Sequence, residues 1–179
     1  MRILLTTHQF FPNYIYGTEL QTLETALELQ QRGHHVEVLT VEPSTPEEVQ
    51  AQATSDLRYL DVPVHRIHRA IDSLAVFNYH DRAVLEQVRQ FLRARPFDAA
   101  HVFHCDRLGA GLLGLLKEFD LPVVVSAMDF WFLCPVSQLL RHDGSLCDGP
   151  PKDGIACVRC AAAKSQPLAA LVQIEGRSE

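Results

Sequence analysis

Cys134, Cys147, Cys157 and Cys160 are separated by twelve, nine and two residues, and the last two make the tight pair CVRC. Four thiolates at such spacing can close around one zinc ion, because a soft tetrahedral site accepts four sulfurs and a two-residue gap sets two of them on one knuckle. Between the first two, His142, Asp143 and Gly144 suit a hairpin turn that would return Cys147 to Cys134. A closed site of this kind is structural and stabilises an insertion too small to own a core. Four unligated thiols, or two disulfides in an oxidised protein, fit the same spacing. Cys105 is left over and suits packing as a small apolar residue.

A second group of residues falls where loops leave apolar runs. Gly17 and Thr18 stand ahead of a helix-like segment, where backbone N–H groups and the positive end of the helix dipole can seat a phosphate. A glycine that merely makes a turn explains the same residues, and the GxGxxG spacing of a dinucleotide fingerprint is absent. His8 belongs to that loop. His104, Asp106 and Asp129 follow two later apolar runs, where groups that handle protons or orient ligands belong. Each also has a structural explanation: Asp106 as a helix cap, His104 as a satisfied core histidine.

The elements that must position these residues alternate. Arg2 to Thr7 reads as a strand covered on both faces. The loop HQFFPNYIYG follows, and Thr18 with Gln21 forms a capping box for a helix carrying Leu20, Leu23 and Leu27 and stopped at Gly33. Val36 to Val41 is the next strand. The segment from Glu42 to Asp56 has no apolar period and reads as exposed loop or ragged helix. Val62 to Ile71 is a strand, and Asp81 caps a helix with Val84, Leu85, Val88, Phe91 and Leu92 on one stripe, ended by Pro96. Ala99 to Phe103 is a strand, Leu108 to Phe119 a helix apolar nearly all round, and Leu121 to Ala127 the clearest buried strand. This alternation implies right-handed crossovers and a doubly wound parallel sheet, an α/β fold whose ligands sit at the strands' carboxyl ends. His8 to Thr18, His104 to Arg107 and Met128 to Leu133 would then share one rim.

The 179 residues suit one domain over 1–173, including a cysteine-rich subdomain at 131–163. Ile174, Glu175, Gly176 and Arg177 spell the recognition tetrapeptide of a protease used to remove purification tags, so 174–179 reads as a tag remnant and the chain as a fragment. A net charge of -6, from 16 basic and 22 acidic residues, argues against a nucleic-acid surface, with Arg66, His68 and Arg69 left as a local basic patch. No apolar run approaches the roughly 20 residues of a bilayer span, and neither a signal peptide nor a basic amphipathic helix is evident. The expected compartment is the cytoplasm, where thiols stay reduced.

Two stretches carry a family resemblance. MRILLTTHQFFPNYIYGTELQTLETALELQQRGHHVEVLT resembles the opening strand, loop, helix and strand of the retaining GT-B glycosyltransferases of family four. MDFWFLCPVSQLLRHDGSLCDGPPKDGIACVRC resembles a subgroup of that family with a Trp-Phe-Leu-Cys-Pro motif followed by further cysteines. The resemblance implies a Rossmann-like, acceptor-side half of a two-domain enzyme that moves a sugar from a nucleotide diphosphate sugar with retention. It places Gly17 near the donor phosphates, with Tyr16, Thr18 and Glu19 around it. Tyr16 replaces the family's usual second Gly, and Met128 replaces a usual His, which leaves His104 and Asp129 as the catalytic candidates. It further implies that a carboxy-terminal donor-binding domain is missing and that this chain alone is inactive. Acceptors of the family include lipids, lipid-linked glycans and small molecules. Two other readings are a non-catalytic interaction module braced by a zinc knuckle and, from CVRC alone, a small redox or metal sensor.

Overall fold

The computed structural model describes residues 1–70 and 80–164, which divide into two compact units, residues 1–70 with 80–128 and residues 129–164. Ile71, the 165–173 end of the expected domain and the 174–179 remnant lie outside the described residues.

The first unit runs β1 (Arg2–Thr6), α1 (Gly17–Gln31), β2 (His35–Ser44), α2 (Pro46–Ala51), β3 (Thr54–Tyr59), β4 (Val62–Ala70), α3 (Arg82–Ala94), β5 (Ala99–Val102), α4 (Gly111–Glu118) and β6 (Val123–Val125). Its six strands form one sheet in the order β3-β4-β2-β1-β5-β6. Every pairing is parallel except β3 with β4. Consecutive residues Leu4 and Leu5, and Val38 and Leu39, are wholly buried, so both faces of the central strands are covered. The chain starts in the middle, winds outward through β2 and β4, then returns to β5 and β6. With right-handed crossovers this sets α1 on one face and α4 on the other. The order reverses between β1 and β5, and a crevice opens there at the strands' carboxyl ends.

On the α1 side, Leu5, Val38, Val64 and Phe103 pack with Leu23 and Ala26, and Phe10 and Phe11 of the first loop join them. That loop, which contains a cis Phe11–Pro12 bond, is therefore anchored by its aromatics: Phe11 stacks on Tyr59 with ring centres 4.8 Å apart. Arg66 donates to the Phe11 carbonyl at 2.9 Å and pairs with Glu42, while Arg69 pairs with Asp81 at 2.9 Å. The basic patch expected from Arg66, His68 and Arg69 is thus drawn into internal bonds, since His68 also lies between Ser44 and Ser55.

Several boundaries differ from the sequence reading. Helix α1 starts at Gly17 with Tyr16 as N-cap, and Glu19, not Gln21, reaches back to the cap, accepting from the Tyr16 N–H at 3.1 Å. The cause is burial: Glu19 is wholly enclosed and needs donors, whereas Gln21 faces solvent. Leu20 is exposed, and the inward face is instead Glu19, Thr22, Leu23 and Ala26. Gly33, at φ 81°, ends the helix as expected; its N–H reaches the Gln30 carbonyl and the His34 N–H reaches that of Leu29. Asp81 caps α3 through the N–H groups of Ala83 and Val84.

The stretch expected as exposed loop or ragged helix does contain a short helix, α2 behind a Thr45–Glu48 capping box, but it also extends β2 to Ser44 and adds β3 as an antiparallel edge. Only three residues of the run from Leu121 form a strand, and it is not buried. β6 bonds to β5 alone, leaving Val124 60% and Val125 43% exposed. α4 is shorter than expected and buries one side, through Leu112, Leu115 and Leu116.

The second unit is mostly turns. Asp129 Oδ1 accepts from the Trp131 N–H at 2.8 Å, and Trp131 meets Phe132 edge to face. The expected hairpin is present: Leu140 and Leu146 bridge antiparallel, and Gly144 takes φ 84° in the turn. CVRC lies on a helix, α5 (Ile155–Lys164), and not on a loop knuckle. Among the described residues no helix is long and apolar enough to cross a membrane.

Candidate functional site

The end of β1, the end of β5 and the start of α1 bring His8, His104, Arg107 and Gly17 to the crevice of the first unit. His8 and His104 tilt against each other with ring centres 4.4 Å apart. His8 Nε2 lies 3.6 Å from Glu19 Oε1, and its buried Nδ1 has no hydrogen-bond partner among the described residues. Burial, then the charges of His104 and Arg107, lower the His8 pKa to about 3, so its imidazole is neutral at any ordinary pH. His104 is 5% exposed, and its Nδ1 accepts from the Asp106 N–H at 3.0 Å. In the neutral ring that bond places the proton on Nε2, which makes it a donor. Asp106 therefore serves His104 through its backbone and does not cap α4, whose N-cap is Ala110.

Arg107 adopts φ 64°, a left-handed conformation that costs a non-glycine residue about 1–2 kcal/mol. Two contacts hold it: Arg69 Nη1 donates to its carbonyl at 3.2 Å, and its guanidinium sits 5.6 Å from the centre of the Tyr14 ring. One guanidinium nitrogen, Nη1, is buried without a hydrogen-bond partner among the described residues. At the start of α1, Gly17 is exposed and a Cβ there would meet nothing within 4 Å. The N–H groups of a first helical turn lack intrahelical partners. Tyr16 is 69% exposed, Thr18 is half-buried, and Glu19 turns inward. A guanidinium, the neutral His8 ring and a helix amino end leave room for an oxyanion, and His104 Nε2 can donate a hydrogen bond. Asp129, the other catalytic candidate, belongs to the second unit, with its carboxylate engaged by Trp131.

In the second unit Cys134, Cys147, Cys157 and Cys160 all line one pocket of about 740 Å³. Burial pushes the Cys134 thiol up, but the N–H groups of Val136, Leu139 and Gln138, directed at its sulfur, and the Lys164 ammonium bring it below the ordinary thiol value. Cys157 is pushed up, first by burial and then by the negative charge of Cys147, Cys134 and Cys160. The expected zinc site is not formed as the side chains stand: among the described residues no three His, Cys, Asp or Glu donors gather closely enough to hold an ion.

Residues 16–164 match the Glycosyl transferase 4-like domain, which is most of the chain. The chain belongs to that family. The match opens at the N-cap of α1 and runs through all four pocket cysteines, so both features lie within the family's domain. Among solved structures, that of trehalose-6-phosphate from E. coli bound with UDP-2-fluoro glucose is similar over 57% of this chain, at 11% identity and a TM-score of 0.35. This chain spans 27% of that one, and so weak a likeness carries no functional argument. No curated protein matches the sequence.

For a Glycosyl transferase 4-like domain, the residues that sequence reading left unassigned are Arg107 and Tyr14. The available signal was position: Arg107 follows His104 at a strand end, and Tyr14 lies in the loop facing it. Nothing in the spacing announces their stacking, because it depends on the left-handed backbone at Arg107.

Proposed function

We propose that this chain is the acceptor-side half of a retaining glycosyltransferase that uses a nucleotide diphosphate sugar, and that turnover needs a donor-binding domain outside it. The observation that carries the reading is the set around His8 beside the β1–β5 reversal: His8 packs on His104, feels the charge of Arg107 with its unpartnered buried N–H, and reaches Glu19 in the first turn of α1. The donor diphosphate would meet Gly17 and Arg107. Of the two proton-handling candidates, His104 is favoured over Asp129, since its proton is held on Nε2 while the Asp129 carboxylate already accepts a backbone N–H. Five free cysteines suit a reducing compartment, and we place the protein in the cytoplasm on that ground. A second reading, a non-catalytic binding module, draws on Met128, an exposed thioether where the family resemblance implies a His.

Titration of the labelled chain with inorganic diphosphate, followed by amide and imidazole resonances, separates the two. Shifts centred on Gly17, Thr18 and the Arg107 side chain, lost in Arg107→Ala, are expected for the transferase half. Silence at those residues with millimolar diphosphate removes that half's donor seat and favours the module. Incubation with nucleotide diphosphate sugars should give no transfer, and measurable product from this chain alone would overturn the need for a second domain.

A further inference from the structure

We propose that Cys134, Cys147, Cys157 and Cys160 close around one thiophilic divalent cation, zinc by preference, as a tetrathiolate site that holds residues 129–164 together. This inference stands independently of the transferase reading.

Three local structures bring the four cysteines to the wall of one pocket. The loop after Cys134 wraps back on itself, with Ser137 at φ 61° and Leu139 at φ 51°, so that the N–H groups of Val136, Gln138 and Leu139 surround the sulfur. Such donors stabilise a thiolate and fix it before any ion arrives. The hairpin then returns the chain: Arg141 N–H bonds to the Ser145 carbonyl at 2.8 Å, and Cys147 N–H to the Leu139 carbonyl at 2.9 Å. Last, α5 presents Cys157 in its first turn and Cys160 three residues on, on one face. All four line the same pocket.

The unit has little other support, because Trp131, Cys134 and Ala161 are its only buried apolar side chains among the described residues. A module with so small a core needs a cross-link, and a zinc ion bound by four sulfurs supplies one. The sulfurs do not yet meet at one point. Binding therefore contracts the pocket, by rotation of the half-exposed Cys147, Cys157 and Cys160 toward the fixed Cys134. The balance is a divalent cation taken up and up to four thiol protons released, with no change of oxidation state.

Cys105 is the internal control. It is wholly buried in the other unit, and burial pushes its thiol up to about 12. In the reduced, metal-free chain a thiol reagent should find four fast sulfurs and one slow one. Titration with cobalt(II) should give the visible bands of a tetrahedral ion and intense sulfur-to-metal charge transfer, saturating at one equivalent and displaced by one equivalent of zinc. With zinc bound, the four fast thiols should slow by roughly tenfold or more. Cys160→Ser should weaken the charge-transfer bands, and Cys105→Ser should leave them unchanged. If Cys160→Ser fails to fold, the unsubstituted chain still decides. Uptake below about half an equivalent of either metal would sink the proposal. So would four thiols that react at the same rate with and without zinc, or disulfides recovered among them from protein kept reduced.

Discussion

In the sheet unit Leu4, Leu5, Val38, Leu39, Val41 and Ile67 are all wholly buried, on two faces of one parallel sheet. In residues 129–164, by contrast, Phe130, Phe132, Leu133, Leu140, Leu146, Ile155 and Val158 remain exposed, and turns replace strands. The first unit is stabilised by apolar area removed from water, at about 25 cal/mol per Å². The second has little such area, and its specific features are hydrogen-bonded turns and four thiols. Equal changes in the two units should therefore have unequal effects.

The largest contrast is expected from side-chain truncation. Phe103, 2% exposed within the α1-side core, should cost about 3–5 kcal/mol as Ala, because a cavity adds to the lost transfer energy. Leu146, 78% exposed in the hairpin, should cost no more than about 0.5 kcal/mol. Urea unfolding of the two variants measures both. A Leu146→Ala penalty as large as that of Phe103→Ala would show the hairpin packed, and would end the contrast.

A second contrast concerns histidine. His8 is buried with its pKa lowered to about 3 from 6.5, so the unfolded chain binds a proton that the folded chain refuses between those values. The stabilising effect of the neutral ring is fully present above pH 6.5 and is lost as pH falls toward 3, at up to about 1.4 kcal/mol per pH unit. His8→Gln should flatten the pH dependence of stability over that window by about one proton. A His8→Gln profile that keeps the original slope would show that the proton is taken up elsewhere.

The same division governs what could be read from the sequence. Continuous apolar runs exposed the central strands, which are buried on both faces, and helical apolar spacing exposed α1 and α3. Gly33 and Asp81 marked helix ends for the same local reasons the structure shows. β3 left no such trace, since it is an edge strand with alternate residues in solvent. β6 misled in the opposite direction: Val123, Val124 and Val125 look like a buried run, yet only one side of that strand is paired. At the crevice, residue types pointed to His8, Gly17 and His104. The inward turn of Glu19 and the seat of Arg107 over Tyr14 follow from tertiary contacts that spacing does not encode. In the cysteine unit, the hairpin was legible from His-Asp-Gly, but the helix through CVRC was not, because a short Cys-x-x-Cys fits both a knuckle and a helical turn.

The smallest effect gives the sharpest comparison. Gly33 and Gly144 have nearly equal φ values, 81° and 84°, and at neither would a Cβ meet an atom within 4 Å. Steric space is thus not the issue, and Ala at either site incurs the same left-handed strain, about 1 kcal/mol. At Gly33 the strain acts on the two bonds that end α1, so it should lower the sheet unit's stability by that amount, about fivefold in its folding equilibrium. At Gly144 it acts on the turn that returns Cys147 to Cys134, so it should instead lower the zinc affinity of the proposed tetrathiolate site by about fivefold, with little change in the urea midpoint of the sheet. Gly→Asn at each position should recover part of the loss, since Asn tolerates this conformation better than Ala. If both alanine variants shift a single urea transition equally, the two regions share one source of stability and the contrast between them fails.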